Sequence, residues 1–379
     1  MDGSRRQFLG LAGAAGLGAG VATAVQRPWD DGSNASTPTP APISAVFASA
    51  SSAGSEQGHI FVVPWNADAA TNVRTINDAI EAAAKARGRQ GGTLPGGGLV
   101  QLPDGVFKVD GPILMRAGVV LAGTGLGTIL QRAKDDGRPM VTFAAGSPVG
   151  AAGVRDMYIT GLKGRHGREG NHGIVIPDHP SGYRGNVVLS NLLVTQNAGS
   201  GVLSQQIGCR LESVVVQSSG ADGIVVEGSD SFVHLCQVSN SDAGYRIEGG
   251  NPHLSLCYAY YNDKSGFVLN TSRAVISACA AQDNEPDGFV FRTTGSTVTG
   301  CLADTNKVTN FHIVSVSDST LTGLSSVFRP KGRYPAAPSG GGIRLDGSPE
   351  RVLISGVSPA TAGGIVGSVA TGSISQIVR

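Results

Sequence analysis

The chain carries little charge. Of its 379 residues only 15% are Asp, Glu, Lys or Arg, and 29 basic side chains balance 28 acidic ones to a formal net charge of +1. That balance gives no general attraction for a polyanion, so nucleic acid is not an expected partner. Histidine and cysteine are scarce too, at 7 and 5 residues. No cysteine pair stands at ligand spacing and no histidine shares the cysteine positions, so no metal centre of the zinc type is expected. Beyond the first 25 residues there is no apolar run that could span a bilayer. A phosphate-cradling loop is excluded as well. Gly123-Thr-Gly125-Leu-Gly127 looks like one, but strand-type Thr128-Ile-Leu follows where a helix N-terminus would be needed.

Glycine, in contrast, is abundant at 56 residues, and from Gly201 to Phe311 it keeps time. Gly201-Val-Leu-Ser, Gly223-Ile-Val-Val, Gly244-Tyr-Arg-Ile, Gly266-Phe-Val-Leu, Gly288-Phe-Val-Phe and Asn310-Phe-His-Ile recur at intervals of 22, 21, 22, 22 and 22 residues. A period of this length with strand-type alternation predicts a solenoid of stacked coils. Two further columns share the register. Cys236, Cys257, Cys279 and Cys301 precede their coil's glycine by eight or nine residues, where earlier coils place Leu192 and Val214. Asn197, Ser219, Asn240, Asn262, Asn284 and Asn306 precede it by four. Asparagine accepts the left-handed turn conformation, and its amide bonds to copies of itself, so an asparagine ladder is expected at one turn. The cysteines, on rungs about 4.8 Å apart, are expected in the core as free thiols serving as small apolar residues.

Upstream, Ile76, Ala79, Ile80 and Ala83 recur at helical spacing and predict a short amphipathic helix over Thr75 to Lys85. Strands are expected at 99–102, 106–109, 113–115 and 119–122. The run from Gly97 through Gly98-Leu-Val-Gln-Leu-Pro-Asp-Gly-Val-Phe-Lys-Val, and then Gly118 to Leu130, resembles the first coils of the pectate-lyase-like superfamily. The ladder and cysteine stack resemble it equally. The resemblance covers nearly all of 59–379 and implies an all-β, single-stranded, right-handed parallel β-helix capped by an N-terminal α-helix.

The N-terminus reads differently. Ser4-Arg5-Arg6-Gln7-Phe8-Leu9, an uncharged apolar run and Ala22-Thr23-Ala24 resemble a twin-arginine export signal over 1–25. Residues 26–58, rich in Pro, Ser, Ala and Thr, read as a flexible leader. A bacterial protein exported in the folded state, to the medium or the cell envelope, is therefore expected. No stable membrane span should remain after processing.

Chemistry should sit on the outward positions of the glycine-led strands, the second and fourth after the glycine. Coil by coil these are Val175 and Pro177, Leu203 and Gln205, Val225 and Glu227, Arg246 and Glu248, Val268 and Asn270, Val290 and Arg292, His312 and Val314, and Arg344 and Asp346. Glu227 and Glu248 would be rung neighbours with Arg246 beside them. Paired carboxylates with a nearby cation can separate their proton affinities into acid and base or nucleophile. Cross-rung salt bridging on a solvated face is the structural alternative. Catalytic roles are thus assigned to Glu227, Arg246, Glu248 and Arg292, with His312 and Arg344 farther along the groove as binding groups.

A second candidate is the turn bearing Tyr258, Tyr260, Tyr261, Asn262, Asp263 and Lys264. Tyr258 and Tyr260 should face outward and stack on sugar rings. Asp263 and Lys264 sit at the turn, where a lysine or arginine serves as base beside a uronate carboxylate, with a second cation or Ca²⁺ stabilising the enediolate. The bland alternative is that the tyrosines only cover the solenoid's side. His234 and His253, without partners at ligand spacing, read as exposed or locally bonded.

Two coils break the period, Gly173 to Gly201 at 28 residues and Asn310 to Gly342 at 32. The loops that lead into Gly173 and Gly342 carry Lys163, Arg165, His166, Arg168 and His172 in one case and Arg329, Lys331, Arg333 and Tyr334 in the other. With Glu169 and Pro338 at the ladder position, both are expected to project from one sheet edge, about 34 Å apart at the strand spacing, as basic walls of a groove.

The superfamily's polysaccharide enzymes include pectate lyases, polygalacturonases, alginate lyases and epimerases; other members are tailspikes and adhesins. The Asn-Thr-Asp and Gly-His-Gly of polygalacturonases are absent from this chain. Of the Tyr-Gly-x-Asp-Pro-His of mannuronan epimerases, Asn251-Pro-His253 matches only the end. The acidic calcium cluster of a pectate lyase is not evident either. The resemblance therefore transfers a fold and no catalytic residue. The first expectation is an exported carbohydrate-active enzyme that cleaves an acidic polysaccharide, by β-elimination or hydrolysis, in the groove over Glu227, Arg246, Glu248 and Arg292, as a monomer or a side-by-side homotrimer. A non-catalytic glycan-binding or structural surface β-helix is the alternative.

Overall fold

The computed structural model describes residues 60–86, 97–144, 152–162, 170–178, 185–329, 332–334, 336, 338–347 and 349–356, with the backbone of Ile365–Val366 and Ile374–Val378. The expected export signal and leader lie outside the described residues, as does the basic part of the earlier loop, 163–169.

A helix opens the described chain, running from Ala69 to Lys85, nearly two turns longer than the apolar stripe predicted. Asp68 supplies the reason: its carboxylate accepts from Thr71 N at 2.7 Å and caps the helix seven residues before Thr75. The buried stripe is Asn72, Ile76, Ala79, Ile80 and Ala83. The polar faces of this helix close the end of the first coils. Asn77 Oδ1 accepts from Leu114 N at 2.8 Å, and Asn77 Nδ2 donates to Pro112 O at 3.2 Å. Strand Ile113–Met115 is paired on its other edge with Val141–Phe143, so the helix takes the place of a missing strand.

Every strand pairing among the described residues is parallel, and the strands join into one 20-stranded and one 11-stranded sheet. Each coil contributes to three files. In the early coils the first two files form one strand bent at a left-handed residue, as in Val188–Thr195 at Asn191 and Arg210–Gln217 at Ser213. Later coils split it, as in His253–Ser255 and Tyr258–Tyr260 around Leu256. The third file is the glycine-led strand, from Ile174–Ile176 through Val202–Ser204, Ile224–Val226 and Tyr245–Ile247 onward. This is a parallel β-helix.

The core alternates as the columns require. Inside, Tyr245, Phe267, Phe289 and Phe311 stack with ring centroids 4.6, 4.6 and 5.2 Å apart. Cys236, Cys257, Cys279 and Cys301 are buried and free, and so is Cys209. The strand-leading glycines are required by close approach. A Cβ on Gly266 would lie 2.8 Å from Asn284 Nδ2, and one on Gly288 would lie 2.6 Å from Asn306 Nδ2.

The ladder itself departs from expectation in two ways. In the 21-residue coil Asn240 is exposed, and the buried ladder position is Ser241, whose N–H donates to Asn262 Oδ1 at 3.1 Å. Nor does the ladder residue adopt the left-handed conformation. That falls one residue earlier, on Gln196, Ser218, Asn240, Tyr261, Asp283 and Thr305. The ladder amides are thereby turned inward, where only other amides and carbonyls can satisfy them.

Candidate functional site

The third file carries the outward column in the expected register, with Leu203, Val225, Arg246, Val268, Val290, His312 and Arg344 on successive rungs. Two members are covered despite their outward register, Val225 and Val290. A bulge after Phe291 sets Arg292 opposite Ser315, so Val314 drops out of the expected column.

Glu227, Arg246 and Glu248 do come together. Gln205 Nε2 donates to Glu227 Oε2 at 2.9 Å, and Arg246 Nη1 lies 3.4 Å from Glu248 Oε1. Arg246's closest partner is Asp222, at 2.7 Å from Nε. Partial burial works against the guanidinium's charge, but Asp222, Glu248 and Glu227 together raise its proton affinity above the ordinary arginine value. A cation held this way neutralises carboxylates and does not accept a proton. Arg292 is exposed two rungs beyond Glu248 and does not join them.

Lys264 is spoken for in the same manner. Its Nζ sits 2.9 Å from Asp242 Oδ2, and that hydrogen bond raises its pKa against a smaller desolvation effect. Lys264 thus stands paired at the turn, its charge balanced by Asp242. His312, expected as a binding group, is likewise paired. Its Nδ1 lies 3.0 Å from Asp287 Oδ2 and its Nε2 lies 2.8 Å from Asp346 Oδ2. Arg344 grips Asp346 through Nε at 3.1 Å and Nη2 at 2.8 Å. The bond to His312 first, and those to Arg344 second, hold the Asp346 carboxyl below its ordinary range. His312 and Arg344 thus tie three neighbouring rungs together, and both bind Asp346.

The turn one file upstream is more open. Tyr258 and Tyr260 face outward with ring centroids 5.0 Å apart, and Tyr261 meets Tyr260 edge-on at 5.6 Å. Tyr261 is 39% exposed, with a left-handed backbone (φ 58°) that a bulky side chain seldom adopts. Tyr258 donates its phenol proton to Gln282 Oε1. Burial pushes the Tyr258 phenol up to about 12, with Asp283 and Asp304 adding and Arg329 opposing.

Over this turn folds a strap, the chain following strand Ser325–Val327. The expectation of a basic wall holds in composition, but the strap does not simply project from an edge: it reaches back across earlier rungs. Arg329 N donates to Thr305 Oγ1 at 2.8 Å, and its guanidinium pairs with Asp304 at 2.6 Å and Asp283 at 3.5 Å. The Asp283 side chain, only 2% exposed, also accepts from Gln282 Nε2 at 2.8 Å and Arg333 N at 3.0 Å. Farther out, Arg333 Nη2 is 3.5 Å from Asp263 Oδ1, 70 residues earlier in the chain. Tyr334 donates to Glu285 Oε2 at 3.1 Å, and Lys307 pairs with Glu285 as well. Lys331 lies outside the described residues. From the other long loop His172 is described, and its Nδ1 accepts from Ser200 N at 3.0 Å.

The structure therefore joins Tyr258, Tyr260, Asp263 and two strap arginines into one face, separate from the Glu227–Arg246–Glu248 row. Sequence reading missed Gln282, Asp283 and Asp304. Asp283 stands immediately before a ladder asparagine, the turn position, and that was the one available signal.

Comparisons with known proteins accord with this architecture. A family model described as a right handed beta helix region matches residues 200–356. Mannuronan C5-epimerase AlgE6 of Azotobacter vinelandii is 29% identical over 192 residues, covering 47% of this chain and 20% of that protein. The chain thus spans about a fifth of that relative's length. Among solved structures, the A-module of the mannuronan C-5 epimerase AlgE4 from the same organism is 22% identical with a TM-score of 0.59, over 81% of this chain and 92% of that one. A variant of the DFA-IIIase of Arthrobacter chlorophenolicus A6 is 15% identical with a TM-score of 0.56, over 83% and 86%. At these identities the structural likeness is one of fold. It establishes a right-handed parallel β-helix.

Proposed function

We propose that this chain is an exported carbohydrate-active protein that binds an acidic polysaccharide across the Tyr258–Tyr260–Tyr261 turn beneath the strap and cleaves it by β-elimination. The observation that carries this is the juxtaposition of three outward phenols with Arg329 and Arg333, whose charges reach the Tyr261 phenol. Aromatic faces stack on sugar rings, and the cations suit uronate carboxylates. In this elimination the Asp263 carboxylate at the turn takes the proton beside the uronate carboxylate, and Tyr258, a phenol kept protonated at neutral pH, delivers a proton to the leaving oxygen. Similarity to a mannuronan C5-epimerase over 47% of the chain supports the polysaccharide class.

Hydrolysis is less well supported. It needs two carboxyl groups with separated proton affinities. Here Glu227 and Glu248 share Arg246, and Asp283 and Asp304 share Arg329.

A second reading, a glycan binder without turnover, is favoured by one observation. Arg246 and Lys264, the cationic groups considered as bases, are both held protonated by aspartates.

The test is a screen of residues 26–379 against pectate, alginate, hyaluronan, xylan and fructan, with calcium or a chelator. Ultraviolet absorbance of unsaturated uronates indicates elimination, reducing ends without absorbance indicate hydrolysis, and binding without either indicates the second reading. Tyr260→Ala should weaken binding of the responsive polymer about tenfold, the loss of one stacking contact. An unchanged affinity would remove the turn from consideration.

A further inference from the structure

Arg329 and Arg333 lie four residues apart on the strap and are held in different ways. The carboxylates facing Arg329 are deeply set, at 2.6 and 3.5 Å, and make it an anchor. Arg333 is fixed from behind: its backbone N–H is bound by buried Asp283, and its guanidinium lies 5.4 Å from the centre of the Tyr334 ring. In front it has a single 3.5 Å contact with Asp263, both side chains being about two-fifths exposed, at 36% and 42%. The guanidinium thus has a support besides the carboxylate it faces, and its charge reaches the Tyr261 phenol.

We propose that Asp263 is a resident stand-in for a sugar carboxylate. It occupies Arg333 in the free protein and gives way when the carboxylate of a uronate residue, stacked on the neighbouring tyrosines, takes the same guanidinium. This rests on the function proposed above and specifies how the face selects its substrate. An exposed single-contact ion pair is weak, whereas a planar guanidinium accepts an incoming carboxylate through two parallel hydrogen bonds, so the exchange favours an acidic sugar. A neutral sugar cannot replace the bond lost when the pair separates, and so it is discriminated against. Asp263 also keeps the unliganded arginine from attracting anions at large.

The experiment is calorimetric titration of the full chain with hexasaccharides of pectate and alginate and with neutral mannohexaose. It compares the wild type, Asp263→Asn, Arg333→Ala and the double variant. Removing the competing charge in Asp263→Asn should tighten the acidic hexasaccharide two- to fivefold, the range of an exposed pair, and leave mannohexaose unchanged. The gain should vanish when Arg333 is also absent. If Asp263→Asn binds the acidic ligand no better than wild type, or gains equally in the absence of Arg333, the stand-in is overturned while the proposed face stands. If the wild type and Asp263→Asn bind none of the ligands, the function proposed above falls and takes this inference with it.

Discussion

A buried carboxamide has four hydrogen-bonding positions to fill, and Asn284 fills all of them. Its Oδ1 accepts from Asn262 N at 3.1 Å and Nδ2 at 2.8 Å, and its Nδ2 donates to Ala259 O and Asn306 Oδ1, both at 3.0 Å. Asn306 repeats the pattern one rung later. The last step is taken by Asn310, the residue standing in the glycine column. It accepts from Asn306 Nδ2 at 2.9 Å and donates to Ser326 Oγ and Val327 O. The strap interrupts the period at this rung, so the ladder ends within its own coil. Truncating one such amide strands its partners in the interior. Asn284→Ala is therefore expected to destabilise the protein by about 3 kcal/mol in urea unfolding, the sum of several unmet buried groups. Asn240→Gly, on an exposed left-handed residue, should stay within about 0.5 kcal/mol. Equal losses at both sites would contradict the placement of Ser241 in the ladder.

The strap is an element held by carboxylates at two depths. Asp283 and Asp304 hold its base, and Glu285, itself paired with Lys307 of the next coil, accepts from Tyr334 at its tip. Lys307 chiefly, against desolvation and with a lesser contribution from Tyr334, depresses the Glu285 pKa below its ordinary 4.5. A carboxyl whose folded pKa is depressed contributes stability above its unfolded value and loses it as pH falls through the folded value. The tip contact is accordingly complete above pH 4.5 and weakens on acidification below it. Carbon-detected NMR titration of the Glu285 carboxyl should give a midpoint under 4.5, and Lys307→Met should move it upward. A midpoint unmoved by that substitution would show that Lys307 does not hold the carboxylate on which Tyr334 closes. The same element explains why the basic residues of this loop looked like a wall in sequence. Their partners, Asp263, Asp283 and Asp304, lie 25 to 70 residues away and meet them only because coils stack.

At the scale of the whole molecule, stability comes from columns that run through many rungs. Phe289 sits mid-stack, 4.6 Å from Phe267 and 5.2 Å from Phe311, and fully buried. Phe289→Ala should cost about 3–5 kcal/mol, since a rigid solenoid cannot collapse into the cavity. Denaturant unfolding followed by circular dichroism would reveal a smaller loss if the stack relaxed. The thiols are buried with the rings. Burial pushes the Cys209 thiol up to about 12, which suppresses its reactive thiolate. A thiol reagent should find none of the five cysteines in the native protein and all five after unfolding. Early reaction of one or more would place it near the surface.

Periodicity alone determined the coil, its 22-residue length, the inward columns and the outward register of Arg246, Glu248, His312 and Arg344. In a stack of parallel rungs each residue's neighbours are its own repeats, so a one-dimensional pattern is already a contact map. The helix start escaped because a cap acts through one side chain and not through a pattern. Asn240 misled because a coil one residue short moves the ladder by one position. What only the tertiary structure decided is which outward charges are available. Arg246, Lys264 and His312 are engaged by Asp222, Asp242, Asp287 and Asp346, and the strap crosses rungs to place Arg333 over Asp263. Ion pairing depends on side-chain reach across coils and on where an aperiodic loop folds back, and neither leaves a period in the sequence.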